Sequence, residues 1–147
     1  MKTLIVGDLF ISESFKNKQL IDPSVEELFA SAEYRILNLE APITPNEPNH
    51  KILKTGTNLR TSEDTTMLYL KQLKTDMVTL ANNHILDYGT IGLQNTLETL
   101  ERNLIAYVGA GNNLDEADRP YTLEKEGIKI AIKRECRILI VDCVKKT

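Results

Sequence analysis

The sequence predicts an α/β domain built on a mostly parallel sheet, and three observations carry that prediction. Short β-rich apolar runs alternate with segments of helical periodicity, capping and turn residues separate them, and the strand candidates end in polar residues or glycine. The 147 residues and 41% hydrophobic content suit one domain, because a chain of this length buries roughly 70% of its unfolded surface without staples.

The elements follow in order. Thr3 to Val6 is the first strand, ended by Gly7-Asp8. Ser24-Val25-Glu26-Glu27 reads as a capping box opening a short helix through Ala32. Arg35 to Leu39 is the second strand. Residues 41 to 61 contain Pro42, Pro45 and Pro48 and carry no apolar periodicity beyond Ile52-Leu53, the mark of a long loop. Loops of that length usually carry function. Thr61 or Ser62 caps a second helix with Met67, Leu70 and Leu73 on one face, and Met77 to Leu80 is the third strand. From Thr90 to Asn103 the spacing of Leu93, Leu97, Leu100 and Leu104 predicts a helix whose leucine stripe is core. Ile105 to Val108 is the fourth strand, followed by a turn at Gly109-Ala110-Gly111, which is too short for a dinucleotide fingerprint. Tyr121 to Lys125 and Ile128 to Ile132 flank Glu126-Gly127 and read as a β-hairpin. Ile138 to Val141 is one more apolar run.

Composition excludes several classes. Eighteen Lys and Arg stand against 21 Asp and Glu, a net charge of -3 with no basic stripe, so no nucleic-acid partner is expected. No apolar run approaches the roughly 20 residues of a membrane helix, and Gly7-Asp8 interrupts the first run too early for a signal peptide. The expected compartment is the cytoplasm, with peripheral membrane association left open. Cys136 and Cys143 lack metal-site spacing and read as reduced thiols.

In a parallel sheet, ligands sit at the carboxyl ends of the strands. Those ends carry Gly7-Asp8, Asn38 and Glu40 around Leu39, Asn82-Asn83-His84, and Gly109-Ala110-Gly111. Two carboxylates, a carboxamide and an imidazole make a donor set suited to a divalent ion such as Mn²⁺, Mg²⁺, Fe²⁺ or Zn²⁺. A cation would relieve repulsion between Asp8 and Glu40 and acidify a bound water, which is hydrolytic chemistry. The sharpest string is Ala81-Asn82-Asn83-His84-Ile85-Leu86-Asp87-Tyr88-Gly89. There Asp87 stands three residues after His84, placed to orient its imidazole, and Gly89 permits the turn into the next helix. Taken singly, Asp8 reads equally well as a turn residue, Glu40 reads more readily as a solvated carboxylate, and Asn82-Asn83-His84 reads less readily as a turn with a capping Asn. Their joint position at successive strand ends gives them weight.

Gly7-Asp8, Asn38-Leu39-Glu40 with Pro42, Ala81-Asn82-Asn83-His84 with Asp87 and Gly89, Gly92-Leu93 with Thr96 and Leu100, and Gly109-Ala110-Gly111 with Asn113, Glu116-Ala117 and Pro120 occur in that order. As an ordered set from Leu4 to about Ile132, they resemble the bacterial capsule synthesis CapA family of poly-γ-glutamate synthesis proteins. Those proteins are similar in fold to calcineurin-like metallophosphoesterases. The resemblance implies a partial α/β/β/α sandwich with a C-terminal hairpin, residues 1–132 forming the amino-terminal half of the family domain. It implies Asp8, Glu40 and Asn83 as ligands of a divalent metal, dinuclear in complete members. His84 becomes the general acid with Asp87 in support, while Asn38 and Lys54 serve an anionic substrate or polymer. Capsule synthesis machinery is the implied partner.

The sequence departs from that pattern. Phe10 stands where the phosphoesterases place a His, Lys74 where the family has Gly, and the only other histidine is His50. Residues 133–147, beginning Lys133-Arg134-Glu135-Cys136-Arg137, form a divergent tail of the kind that truncation or frameshift produces. A half-domain would expose apolar surface and self-associate. The expected activity is metal-assisted hydrolysis or transfer at a phosphoryl-type group. The alternatives are a non-catalytic anion- or polymer-binding component, or an inactive fragment.

Overall fold

The computed structural model describes residues 2–133, Asn17 and Glu126 excepted. The Ile138–Val141 run, Cys136, Cys143 and the tail from residue 134 lie outside the described residues. Strands β1 (Thr3–Leu9), β2 (Tyr34–Leu39), β3 (Met77–Thr79) and β4 (Ala106–Val108) form one sheet in the order β1-β2-β3-β4, every pair parallel. Helices α1 (Pro23–Ala30), α2 (Glu63–Gln72) and α3 (Gly89–Arg102) make the crossovers. A short helix α4 (Leu114–Ala117) leads to an antiparallel hairpin of β5 (Tyr121–Lys125) and β6 (Ile128–Ile132). The architecture is an α/β sandwich with a mostly parallel core sheet and a C-terminal hairpin.

Sequential strand order with crossovers of one hand places all three long helices on the same side of the sheet. The main core confirms this: Phe29 of α1, Met67 and Leu70 of α2, and Leu93, Leu97 and Leu100 of α3 pack with Leu37, Leu39, Val78 and Leu80. Ile36, Met77 and Val108 point the other way and meet Tyr121 and Ile132 of the hairpin. Ile5 remains 71% exposed on β1, whose Leu4 and Val6 join the main core.

Three expectations change in detail, and the open choice of cap for α2 falls on Ser62. The first strand continues past Gly7-Asp8 to Leu9, because an extra residue between Ile5 and Asp8 bulges β1 and restores pairing of Asp8 with Asn38. Helix α1 begins at Pro23 and ends at Ala30, capped by Asp22, whose carboxylate accepts from the Ser24 backbone N–H at 2.9 Å. Pro23 supplies a helical φ and lacks an N–H, so it takes the first position and moves the cap ahead of Ser24. Leu104 leaves the leucine stripe: α3 stops at Arg102, Leu104 turns to φ 57° and stands 93% exposed, and Ile105 takes the core position.

The ends of α2 and α3 share one cause. Lys74 at φ 50° lets Thr75 N–H reach the Leu70 carbonyl at 2.9 Å, and Leu104 lets Ile105 N–H reach Leu100 at 3.0 Å. Both are left-handed helix terminations normally given to glycine, which explains why the departure at Lys74 falls on a cap. A side chain there costs about 1–2 kcal/mol, of which glycine's greater freedom in the unfolded chain takes back about 0.5–1. Leu104→Gly should therefore stabilise by about 0.5–1 kcal/mol in urea denaturation. Lys74→Gly should gain less, since it also removes a cation from a helix C-terminus.

Ser24, through its hydroxyl and then its backbone N–H, holds the Asp22 carboxyl below its ordinary value of 3.8. A depressed folded value means that this stabilisation is complete above 3.8 and is lost as pH falls through the lower folded value. Asp22→Asn keeps a capping oxygen without a titration, so it should flatten the stability profile below about pH 4, measured by acid-dependent urea midpoints.

Candidate functional site

The strand ends are tied together by a chain of side-chain hydrogen bonds. The β1 bulge sets Asp8 opposite Asn38, and the Asn38 amide donates to the Asp8 carboxylate at 2.7 Å. Asn38 is only 2% exposed, so its carbonyl needs a donor, and the Thr79 hydroxyl supplies one at 3.0 Å. Asn82 is the next link. Its amide donates to the Leu39 carbonyl at 2.9 Å and lies 3.4 Å from the Asn38 oxygen, while its own oxygen accepts from His84 N–H at 2.9 Å and Ile85 N–H at 3.0 Å. That Asx turn fixes the backbone that presents His84.

Asp87 is fully buried, and its carboxylate collects three donors. The Lys54 ammonium bonds one oxygen, and Leu59 N–H and His84 Nδ1, both at 2.7 Å, bond the other. With Nδ1–H donating to Asp87, Nε2 is the free ring position, and it lies 3.8 Å from Glu40. The Asp87 backbone carbonyl accepts from Ile52 N–H at 3.1 Å and the Asn58 amide at 2.7 Å. One residue thus holds both the imidazole and the 51–59 stretch of the long loop. Elsewhere the loop is secured by Ile43 N–H on the buried Thr96 hydroxyl at 2.8 Å and by a bridge between Ile43 and Thr61.

Gly89 enters α3 at φ 62°, the conformation anticipated for it. At Gly109 a Cβ would stand 2.6 Å from that of Ala81, so only glycine lets the end of β4 lie this close to the end of β3.

The structure thus joins Asp8 to Asn38, and His84 to Asp87, Lys54 and Glu40, with Asn82 between the two groups. Lys54 has its ammonium on Asp87, and Asn38 is spent on Asp8 and Thr79. Asn83 is exposed, and among the described residues its amide makes no hydrogen bond. Three or more His, Cys, Asp or Glu side chains grouped to hold a metal ion are not found among the described residues. No helix among them is long and apolar enough to cross a membrane. The turn-capping reading of Asn82 agrees with its Asx turn, whereas its link to Asn38 and Leu39 and the loop-anchoring role of Asp87 escaped sequence reasoning. The loop partners of Asp87 lie 28 to 35 positions away, beyond the reach of any local spacing signal.

The molecule is an α/β sandwich with acidic, amide and imidazole side chains linked across the carboxyl ends of its parallel strands, the edge at which proteins of the α/β class bind ligands. The sequence profile of the bacterial capsule synthesis protein PGA_cap matches residues 3–137, and the chain belongs to that family. It is 32% identical over 108 residues to the PGA biosynthesis protein CapA of Bacillus subtilis (strain 168), covering 73% of this chain and 28% of that protein. It is 24% identical over 134 residues to the capsule biosynthesis protein CapA of Bacillus anthracis, covering 86% and 32% respectively. The chain spans about a third of the length of these relatives or less.

The buried carboxylate yields a prediction. Asp87→Ala leaves Lys54 and the Leu59 N–H without their acceptor and should cost about 3–5 kcal/mol, with faster proteolysis in residues 51–59. A double-mutant cycle with Lys54→Met should give a coupling of about 1–3 kcal/mol by urea denaturation.

Proposed function

We propose that the chain acts in capsule or poly-γ-glutamate synthesis as a binding component whose strand-end site holds an anionic group or polymer segment without turning it over. The observation that carries this reading is the Asp87-anchored pair of Lys54 and His84. Their side chains are 22% and 19% exposed, the Lys54 nitrogen lies 3.3 Å from His84 Nδ1, and the uncommitted Asn83 amide is next in the chain. A lysine ammonium has three N–H donors, of which Asp87 uses one, and a protonated imidazole adds Nε2–H. Charge-assisted donors held by a buried carboxylate suit a carboxylate or phosphate oxygen. The absence of a three-membered metal-type group among the described residues supports binding over metal chemistry. The two relatives are named for PGA and capsule biosynthesis, which supplies the biological setting.

A metal-dependent reading has its own support in the hold of Asn38 on Asp8 and the approach of His84 to Glu40. Asp8, Glu40 and Asn83 would then hold a divalent ion, with His84 as general acid positioned by Asp87. The ion would supply Lewis-acid activation at a phosphoryl-type group.

Calorimetry and thermal melts with oligo-γ-glutamate and with inorganic phosphate, each with EDTA or Mn²⁺, distinguish the readings. The binding role predicts a saturable interaction that EDTA does not change and that weakens at least tenfold in His84→Gln and Asn83→Ala. At a ligand concentration 100 times Kd the fold should gain about 2.7 kcal/mol. Binding that appears only with Mn²⁺, together with a Mn²⁺-dependent rise in Tm, would replace it with the metal reading.

A further inference from the structure

A cavity of about 400 Å³ opens at the carboxyl ends of β3 and β4, between the Asn82–Gly89 turn and the Gly109–Gly111 turn. Among the described residues no charged side chain lines it. Ile85, Leu86 and Leu93 form one side, Ile52 comes from the long loop, and Ala117 closes the wall from α4. Asn82 also lines it, but both its amide hydrogens and its oxygen are committed to Leu39, Asn38, His84 and Ile85. Asn83 is different: it lines the cavity, is exposed and makes no hydrogen bond among the described residues. Asn83 precedes His84 in the chain, so the polar rim of the cavity and the proposed anion site meet at neighbouring residues. Several hundred cubic ångströms of apolar wall with few convergent polar groups is the build of a small-molecule site.

The geometry points to an amphiphilic anion as the ligand class: an anionic head at His84 and Asn83, with an uncharged aliphatic arm in the cavity. This inference rests on the anion-binding reading above. The lining decides the arm's chemistry. A carboxylate-bearing polymer segment pushed into this cavity would lose its hydration with no charged partner, so the polymer stays outside. An aliphatic arm gains roughly fourfold in affinity for each methylene fully buried.

The test is a calorimetric series on the whole chain: inorganic phosphate, then ethyl, butyl and hexyl phosphate. Affinity should climb at least tenfold from inorganic phosphate to hexyl phosphate, and the methyl NMR signals of Ile85, Leu86 and Leu93 should move only when an arm is present. Ala117→Phe, which fills the cavity, and Ile52→Ser, which removes an exposed apolar wall, should each erase most of that gain and leave inorganic phosphate binding unchanged. A flat series with phosphate still bound overturns the amphiphile and leaves the anion site standing. A length-dependent gain that survives both variants also overturns it, because the arm would then lie elsewhere. Failure of every member to bind, inorganic phosphate included, overturns the anion site and this inference with it.

Discussion

The carboxylate of Asp87 is the constraint on which the candidate site depends. It has no solvent contact, so its charge must be met from within the protein, and Lys54, His84 and the Leu59 backbone meet it from three directions. Each donor gives up freedom in the process. The lysine stem is laid down, the imidazole is held in one orientation, and the 51–59 stretch is drawn against the turn that precedes α3. The 51–59 stretch of the long loop, which could take many paths, is given one by the satisfaction of a single buried ion.

The other half of the site is organised by neutral groups. The extra residue in β1 brings Asp8 to Asn38, and Asn38 is buried between Asp8 and Thr79, so its amide and carbonyl are both matched. Asn82 then couples this pair to the His84 turn. Adjacent carboxylates at neighbouring strand ends normally call for a cation or a shared proton. Here Asp8 takes the amide of Asn38, while Glu40 lies 3.8 Å from His84 Nε2. Each acid has its own polar neighbour, so the arrangement is intelligible as a binding surface, not only as a metal centre.

The order of elements and their types were legible because periodicity reports which face of a helix or strand is buried, and that is a local property. The hairpin, the long loop and the turn at Gly89 were legible from another local signal, the turn- and loop-forming residues Glu126-Gly127, Pro42, Pro45, Pro48 and Gly89. The misplaced details all involve competition between residues that pattern alone does not rank. Pro23 outcompetes Ser24 for the start of α1, and a bulge absorbs Gly7 where a strand end was expected. Leu104 fits a helical stripe by spacing, yet it sits where the chain must turn left-handed so that Ile105 can enter the core. At the site, residue types and strand ends were visible, but the donors paired with each acceptor were not. Lys54 and Asp87 are 33 positions apart, and their contact exists only once the loop has folded back.

The one-sided placement of the helices bears on how such a site can work. Because α1, α2 and α3 share one face, the turns that precede α3 and α4 run side by side over the strand ends, and the gap between them becomes the apolar cavity. The same topology leads the 40–62 connection across the sheet, where Lys54 reaches Asp87 and Ile52 reaches the cavity wall. Polar site and apolar cavity are therefore flanked by one loop, and anything that loosens the Asp87 anchor should disturb both. A ligand that engages only the charged group would use half of what the loop organises, whereas one with a charged end and an aliphatic arm would use all of it.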